Sequence, residues 1–434
     1  MKHAFRPFNF IVLALLIVSI SVSGSGRFSI TPVRTLDGHD VLPWERIECL
    51  QDKSSNFKVE AFHEKSHLTH KVLLKVFEDE TPSSGTFALH FAPGWNNDSG
   101  RNPILLVHGA GDNAYRAWVH PCSNELGPED TIKYPGLMQY LSGEGFQVFA
   151  ITFAHPHGDN LYQAEVLADA IQRIRKVLNR ESDSSFKVDL ISHSKGGFPV
   201  FCYLSSIGKQ CAGYQWLTPF RGDVGRYIAL ACPFKGTDMM FRYYMYNLSV
   251  VETGSAAPLA PKSMVYMMQN LDFRTYNRMF TGQLQVLHNF FNDEDPIPFT
   301  PASATTDMNL TMNALYFGGT SAFLSSDGID KAIIAGGNLV QKLNKTGADP
   351  SVKITVLCGT NNLFDPDMEY CSQNMPLGEL IPSDGVVYQQ SGEYTDGICR
   401  RGAPLIMKKV LYLNHLNISF HDTVKGYVKE ALSE

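Results

Sequence analysis

Apolar residues along this chain fall into short unbroken runs separated by longer stretches with a helical beat. The runs lie at 103–107 (PILLV), 147–153 (QVFAITF), 188–191 (VDLI), 226–231 (RYIALA), 353–357 (KITVL) and 409–413 (KVLYL). Runs of this length, rich in β-branched residues and bounded by turn residues, predict strands buried on both faces. Between them, Ala164, Leu167, Ile171, Ile174 and Leu178 step by three or four and predict one face of a helix over 161–178. Further helices are predicted at 135–145, after Gly197, and at 421–432. The alternation predicts an α/β chain: a mostly parallel central sheet with helices on both faces. Residues 56–62 and 70–77 alternate partially and read as strands, which makes 27–100 a β-rich N-terminal extension to a core domain at 101–434. The gap between the strands at 226–231 and 353–357 far exceeds a normal connection. It is read as a cap or lid insertion at about 238–350. Its methionines and aromatics, from Met239 to Tyr246 and from Met264 to Met268, suit either a cover over an apolar pocket or the insertion's own core.

Composition narrows the class. With 434 residues, 44% hydrophobic and 18% charged, the chain is globular and longer than one core usually grows. A net charge of −6 with no Lys/Arg-rich run argues against a nucleic-acid partner. Lys2, His3 and Arg6 precede an apolar run from Phe8 to Ile20 and the small residues Ser21 to Gly26. This is the pattern of a signal peptide over 1–26, so the protein is expected to be secreted, with nothing left to span a membrane after cleavage. In an oxidising compartment Cys49, Cys122, Cys202, Cys211, Cys232, Cys358, Cys371 and Cys399 become disulfide candidates, although Cys202 and Cys232 read equally as buried thiols. Sequons begin at Asn97, Asn247, Asn309, Asn344 and Asn417, which would make a glycoprotein in a host that glycosylates. No zinc spacing, dinucleotide motif or Walker motif occurs, so no cofactor and no metal are expected.

The candidate chemistry sits at strand ends. Val188-Asp189-Leu190-Ile191-Ser192-His193-Ser194-Lys195-Gly196-Gly197 reads as a strand turning sharply into a helix, with Ser194 at the turn. That is the form of a nucleophile elbow, except that Ser192 stands where G-x-S-x-G has its first glycine. A helix-capping serine is the plainer alternative. His108-Gly109-Ala110-Gly111 follows the strand at 103–107, and the N–H groups of Ala110 and Lys195 are the expected oxyanion-hole donors. A serine hydroxyl needs a histidine base, and the base needs a carboxylate. Ser194, Asp384 and His415 occur in the chain order this fold uses. His421 is the alternative base; Asp295, Asp365 and Asp367 are the alternative acids. His155 and His157 close a strand and border the same sheet edge.

Taken together, these motifs resemble those of the secreted bacterial true lipases of the α/β-hydrolase superfamily, over about 103–418. His108-Gly109 resembles their oxyanion loop and the stretch at 192–197 their elbow. Cys232-Pro233-Phe234-Lys235-Gly236-Thr237 is similar to their Ala-Pro-His-x-Gly strand end. Asp384-Gly385-Val386-Val387 and Asn414-His415-Leu416 resemble their acid and histidine motifs. The resemblance implies an α/β-hydrolase fold and a serine carboxylic-ester hydrolase, a lipase or esterase. It would act through an acyl-enzyme on lipid or other apolar esters at a lipid interface. Two positions depart from the pattern. Lys195 stands where the lipases often carry methionine, and Asn417 stands where they carry a calcium-binding aspartate, with Asp365 and Asp367 near the place of the other ligand. The stretch Gly109 to Ala114 is also similar to lipase-type polyhydroxyalkanoate depolymerases. A polyester depolymerase, a lipid acyltransferase with the same triad, and a non-catalytic hydrolase-like binding protein are the remaining alternatives.

Overall fold

The structure is a computed structural model describing residues 31–54, 57–120, 135–214, 217–242, 263–266, 269–272, 278–297, 306–322, 325–362 and 381–434. Nine described strands make the main sheet: β1 (Arg34–Asp37), β2 (Arg46–Gln51), β3 (Thr86–Phe91), β4 (Ile104–Val107), β5 (Val148–Phe153), β6 (Val188–His193), β7 (Val224–Leu230), β8 (Lys353–Gly359) and β9 (Leu405–Leu411). Their order is β1-β2-β3-β5-β4-β6-β7-β8-β9. The strands from β5 to β9 are parallel, whereas β1, β2 and β3 join as an antiparallel meander on the β5 side.

Every residue of β3, β4, β5 and β6 is buried, because helices cover both faces. Leu105, Val107, Phe149, Ile151 and Leu190 pack with α4 (Asn160–Val177) and α5 (Gly197–Ser205). The alternate residues Ile104, Leu106, Val148, Ala150 and Ile191 pack on the other face with α2 (Ala114–Trp118), α3 (Leu137–Gly143) and α9 (Asp422–Ser433). This is the α/β-hydrolase fold. The chain leaves β4 towards β5 on one side and returns to β6 on the other. The carboxyl ends of β4 and β6 therefore open at the switch point, where such sheets place their ligands.

Two predicted strands are not strands. Residues 71–77 form the helix α1 (Lys71–Phe77), which buries Leu73, Val76 and Phe77; the spacing of three and four had been masked by partial alternation. The described part of 56–62 is irregular and lies over the polar end of α4, with Phe57 against Tyr162 and Phe62 against His155. The last strand is 405–411 rather than 409–413. Its exposure alternates along a sheet edge, which dilutes the apolar signal.

The described parts of the insertion include α6 (Thr306–Phe317), α7 (Ile329–Ala335), α8 (Leu339–Thr346) and a two-stranded ribbon (Ser263–Tyr266 with Gln269–Asp272). A fully buried ion pair ties its start down: Arg242 Nη2 lies 2.6 Å from Asp238 Oδ2, which also accepts from Tyr316 Oη at 2.7 Å. The disulfide expectation is corrected for six cysteines. Cys49, Cys202, Cys211, Cys232, Cys358 and Cys399 are free thiols, and all but Cys399 are buried. Burial pushes the Cys49 and Cys232 thiols up to about 11. Cys122, Cys371, Asp365, Asp367, Asn247, residues 1–26 and the stretch 243–262 lie outside the described residues. Among the described residues no helix is long and apolar enough to cross a membrane.

Candidate active site

The site begins with a strained serine. β6 ends at His193, a 3₁₀ turn spans Ser194–Gly196, and α5 follows at once. Ser194 holds φ 54°, the left-handed region that non-glycine residues avoid. Packing enforces the turn. A Cβ at Gly196 would sit 2.3 Å from the His108 carbonyl oxygen, so only glycine lets the elbow close on the loop after β4. Ser192 is fully buried, and its hydroxyl bonds to Tyr227 Oη at 2.8 Å and Cys232 Sγ at 3.2 Å. The missing first glycine is thus replaced by a small residue with satisfied polarity.

Three residues far apart in the chain converge here. His415 Nε2 lies 2.9 Å from Ser194 Oγ, and His415 Nδ1 lies 2.8 Å from Asp384 Oδ2. The other carboxylate oxygen of Asp384 accepts the N–H groups of Val386 at 2.9 Å and Val387 at 2.7 Å. Asp384 and His415 are buried, and Ser194 is half-buried. The backbone joins the two loops as well, with the His415 N–H donating to the Asp384 carbonyl at 2.9 Å. Of the described alternatives, neither His421 nor Asp295 meets this group. His421 caps α9, its Nδ1 accepting from the Thr423 N–H at 3.2 Å, and Asp295 is exposed in a turn.

The loop after β4 supplies the facing wall. Phe153 N–H donates to His108 Nε2 at 3.1 Å, which leaves His108 Nδ1–H to donate to the Gly109 carbonyl at 2.8 Å. Burial holds this ring neutral, lowering His108 to about 4. In a trans peptide C=O and N–H point opposite ways. Fixing the Gly109 carbonyl towards His108 therefore turns the Ala110 N–H the other way. Gly109 abuts the elbow serine: a Cβ there would lie 2.9 Å from Ser194 Cβ. Lys195, the other expected donor, follows Ser194 in the 3₁₀ turn.

Three motifs do more than their spacing revealed. His193 donates from Nε2 to the His415 carbonyl at 2.8 Å, its ring 4.8 Å from that of His415. Burial lowers it to about 3 and keeps it a single-proton donor. Nothing but adjacency to Ser194 hinted at this. The Cys232–Thr237 stretch grips the acid side, with Ser391 Oγ donating to the Gly236 carbonyl at 2.6 Å and accepting from the Lys235 N–H at 3.2 Å. His155 and His157, which close β5 at the same sheet edge, are both buried.

At the position to which the resemblance assigns a calcium-binding aspartate the chain carries Asn417, and a neutral amide is a weak substitute for a carboxylate. Among the described residues one set of three metal-ligating side chains comes together: Asp52, Glu165 and Asp169, with ligand atoms within 4.8 Å of one another. Thr218 already donates to both Glu165 oxygens, through N–H at 2.5 Å and Oγ1–H at 2.8 Å.

No protein-family model and no curated relative matches the sequence. Several solved structures are similar to it. The mature lipase BlEst2 of Bacillus licheniformis is 13% identical, with a TM-score of 0.38 over 77% of this chain and 93% of its own. A soluble variant of monoglyceride lipase from Saccharomyces cerevisiae is 16% identical, with a TM-score of 0.34 over 80% and 91%. Lipase B of Aspergillus fumigatus is 14% identical, with a TM-score of 0.35 over 93% and 62%. These likenesses are remote; the fold class stands on strand order and connection.

Proposed function

We propose that this chain is a secreted serine carboxylic-ester hydrolase of the lipase or esterase kind, acting on lipid or other apolar esters. The observation that carries the reading is the hydrogen-bonded file from Asp384 through His415 to Ser194, set on a strained turn. Export rests on the N-terminal pattern alone.

His415 Nε2 takes the Ser194 hydroxyl proton as Oγ attacks the ester carbonyl carbon. The oxyanion that forms accepts the N–H groups of Ala110 and Lys195. Asp384, an acceptor of three N–H groups, steadies the imidazolium and fixes its tautomer. His415 then protonates the leaving alkoxide. Water, deprotonated by the same imidazole, releases the acid and restores Ser194.

The test is a panel from short-chain esters through long-chain triglyceride to polyester film, run with wild type and Ser194→Ala. Hydrolysis by the wild type and a fall in kcat on the order of 10⁶ in the variant are expected. Full activity in the variant refutes the mechanism. With an added acceptor alcohol, predominant ester product moves the reading to an acyltransferase.

A further inference from the structure

Lys195 is buried, with 4% of its surface exposed. An ammonium is expensive to bury, and an apolar side chain would fill the same volume at less cost. Its Nζ donates to Gln163 Oε1 at 2.8 Å and to the Gly158 carbonyl at 3.2 Å. Gln163, on α4, reaches back through Nε2 to the His155 carbonyl at 2.9 Å. One side chain thus joins the elbow to the loop between β5 and α4.

The insertion closes on the same point. Gly282 N–H donates to the His157 carbonyl at 3.1 Å, and the Gly282 carbonyl accepts from Asn160 Nδ2 at 2.9 Å. A Cβ at Gly282 would lie 2.6 Å from Lys195 Cε and 1.9 Å from the Gly158 carbonyl oxygen. The insertion therefore docks here only as glycine. The N-terminal segment arrives too: Glu60 Oε1 accepts the Asp159 N–H at 2.7 Å.

We infer that the Lys195 side chain is a positioning residue, tying the elbow's oxyanion-hole N–H to the loop at 155–160 and to the docked insertion. This rests on the ester-hydrolase reading. The groups facing the ammonium are Glu60, Asp159, Cys202, His108, His155 and His157. Burial lowers His108 and His155 to about 4 and His157 well below its ordinary value, so these rings stay neutral. Burial lowers Lys195 itself to about 7, against the pull of Glu60 and Asp159. Glu60 is raised by burial and by Asp159. The tie therefore weakens as pH rises through neutrality and the ammonium loses a proton.

The test is steady-state ester hydrolysis across pH for wild type, Lys195→Met, Gln163→Leu and the double variant, each first titrated with a fluorophosphonate. Lys195→Met keeps the backbone N–H. It is expected to lower kcat roughly ten- to a hundredfold, with KM changed less than about threefold, and to lose the wild-type alkaline limb. Gln163→Leu is expected to fall part of the way, and the double variant to be no worse than Lys195→Met. Wild-type kcat and pH profile in Lys195→Met, or additive losses in the double variant, overturn the role. If Lys195→Met does not melt cooperatively, Gln163→Leu decides: a lower kcat at constant KM supports the tie, and wild-type kcat overturns it. A wild type whose Ser194 takes no label overturns the hydrolase reading itself, and this role with it. Labelling with unaltered variant kinetics overturns the Lys195 role alone.

Discussion

Asp384 and Asp169 are both buried aspartates, and their donors set them apart. Asp384 and Asp169 are similarly dry, at 1% and 6% exposed. Asp384 accepts two backbone N–H groups on one oxygen and meets His415 Nδ1 on the other. Asp169 faces Glu165 and Asp52 instead, and its Oδ2 has no partner among the described residues. Burial first, and then those two carboxyls, raises Asp169 well above its ordinary value. Burial alone therefore does not suit an acid to support an imidazolium. The two backbone donors of the turn after Asp384 do, and they exist because the chain reverses at Gly385, with φ 96°.

The comparison breaks most sharply at Asp384→Asn. The amide keeps the shape but presents the wrong partner to His415 Nδ1, and kcat is expected to fall by about 10⁴ with the thermal midpoint little changed. A loss under about tenfold in the same kinetic assay would mean that Asp384 is only a turn residue.

Asp169→Asn is expected to act in the other direction and by less. The raised value in the folded state means that the folded protein keeps this proton to higher pH than the unfolded chain. The stability it contributes is complete below the ordinary carboxylate range and is lost as pH rises through the raised folded value. An amide mimics the protonated acid and cannot ionise. The variant's melting temperature, followed from about pH 4 to 8, should therefore match the wild type at the acid end and exceed it increasingly towards the alkaline end. Parallel curves would show that Asp169 carries no trapped proton.

Much of this was legible because the serine edge of the sheet is built from local rules. Strands β4 to β8 announce themselves as short apolar runs, and Ser194, Asp384 and His415 each lie in a turn with a motif of its own. Where a segment obeys tertiary demands, the pattern misleads. The helix at 71–77 carries β-branched and aromatic residues that alternate by accident. The stretch at 57–62 looks strand-like because Phe57 and Phe62 are needed against Tyr162 and His155, not against a neighbouring strand. His193 and Lys195 were illegible for another reason. Their partners, the His415 carbonyl and the Gln163 side chain, come from distant segments, and no spacing along the chain encodes such a meeting. Free thiols such as Cys232, hydrogen-bonded beneath the elbow, likewise look no different in sequence from disulfide halves.

In the proposed mechanism Ser194 is the nucleophile that His415 activates. Peptide mapping by mass spectrometry after exposure to a fluorophosphonate addresses it directly, with Ser194→Ala and His415→Ala treated alongside. The expected result is one stoichiometric adduct on the peptide bearing Ser194 in the wild type, none in Ser194→Ala, and labelling slower by about 10⁴ or more in His415→Ala. An unlabelled wild type, or an adduct that persists in Ser194→Ala, would contradict it.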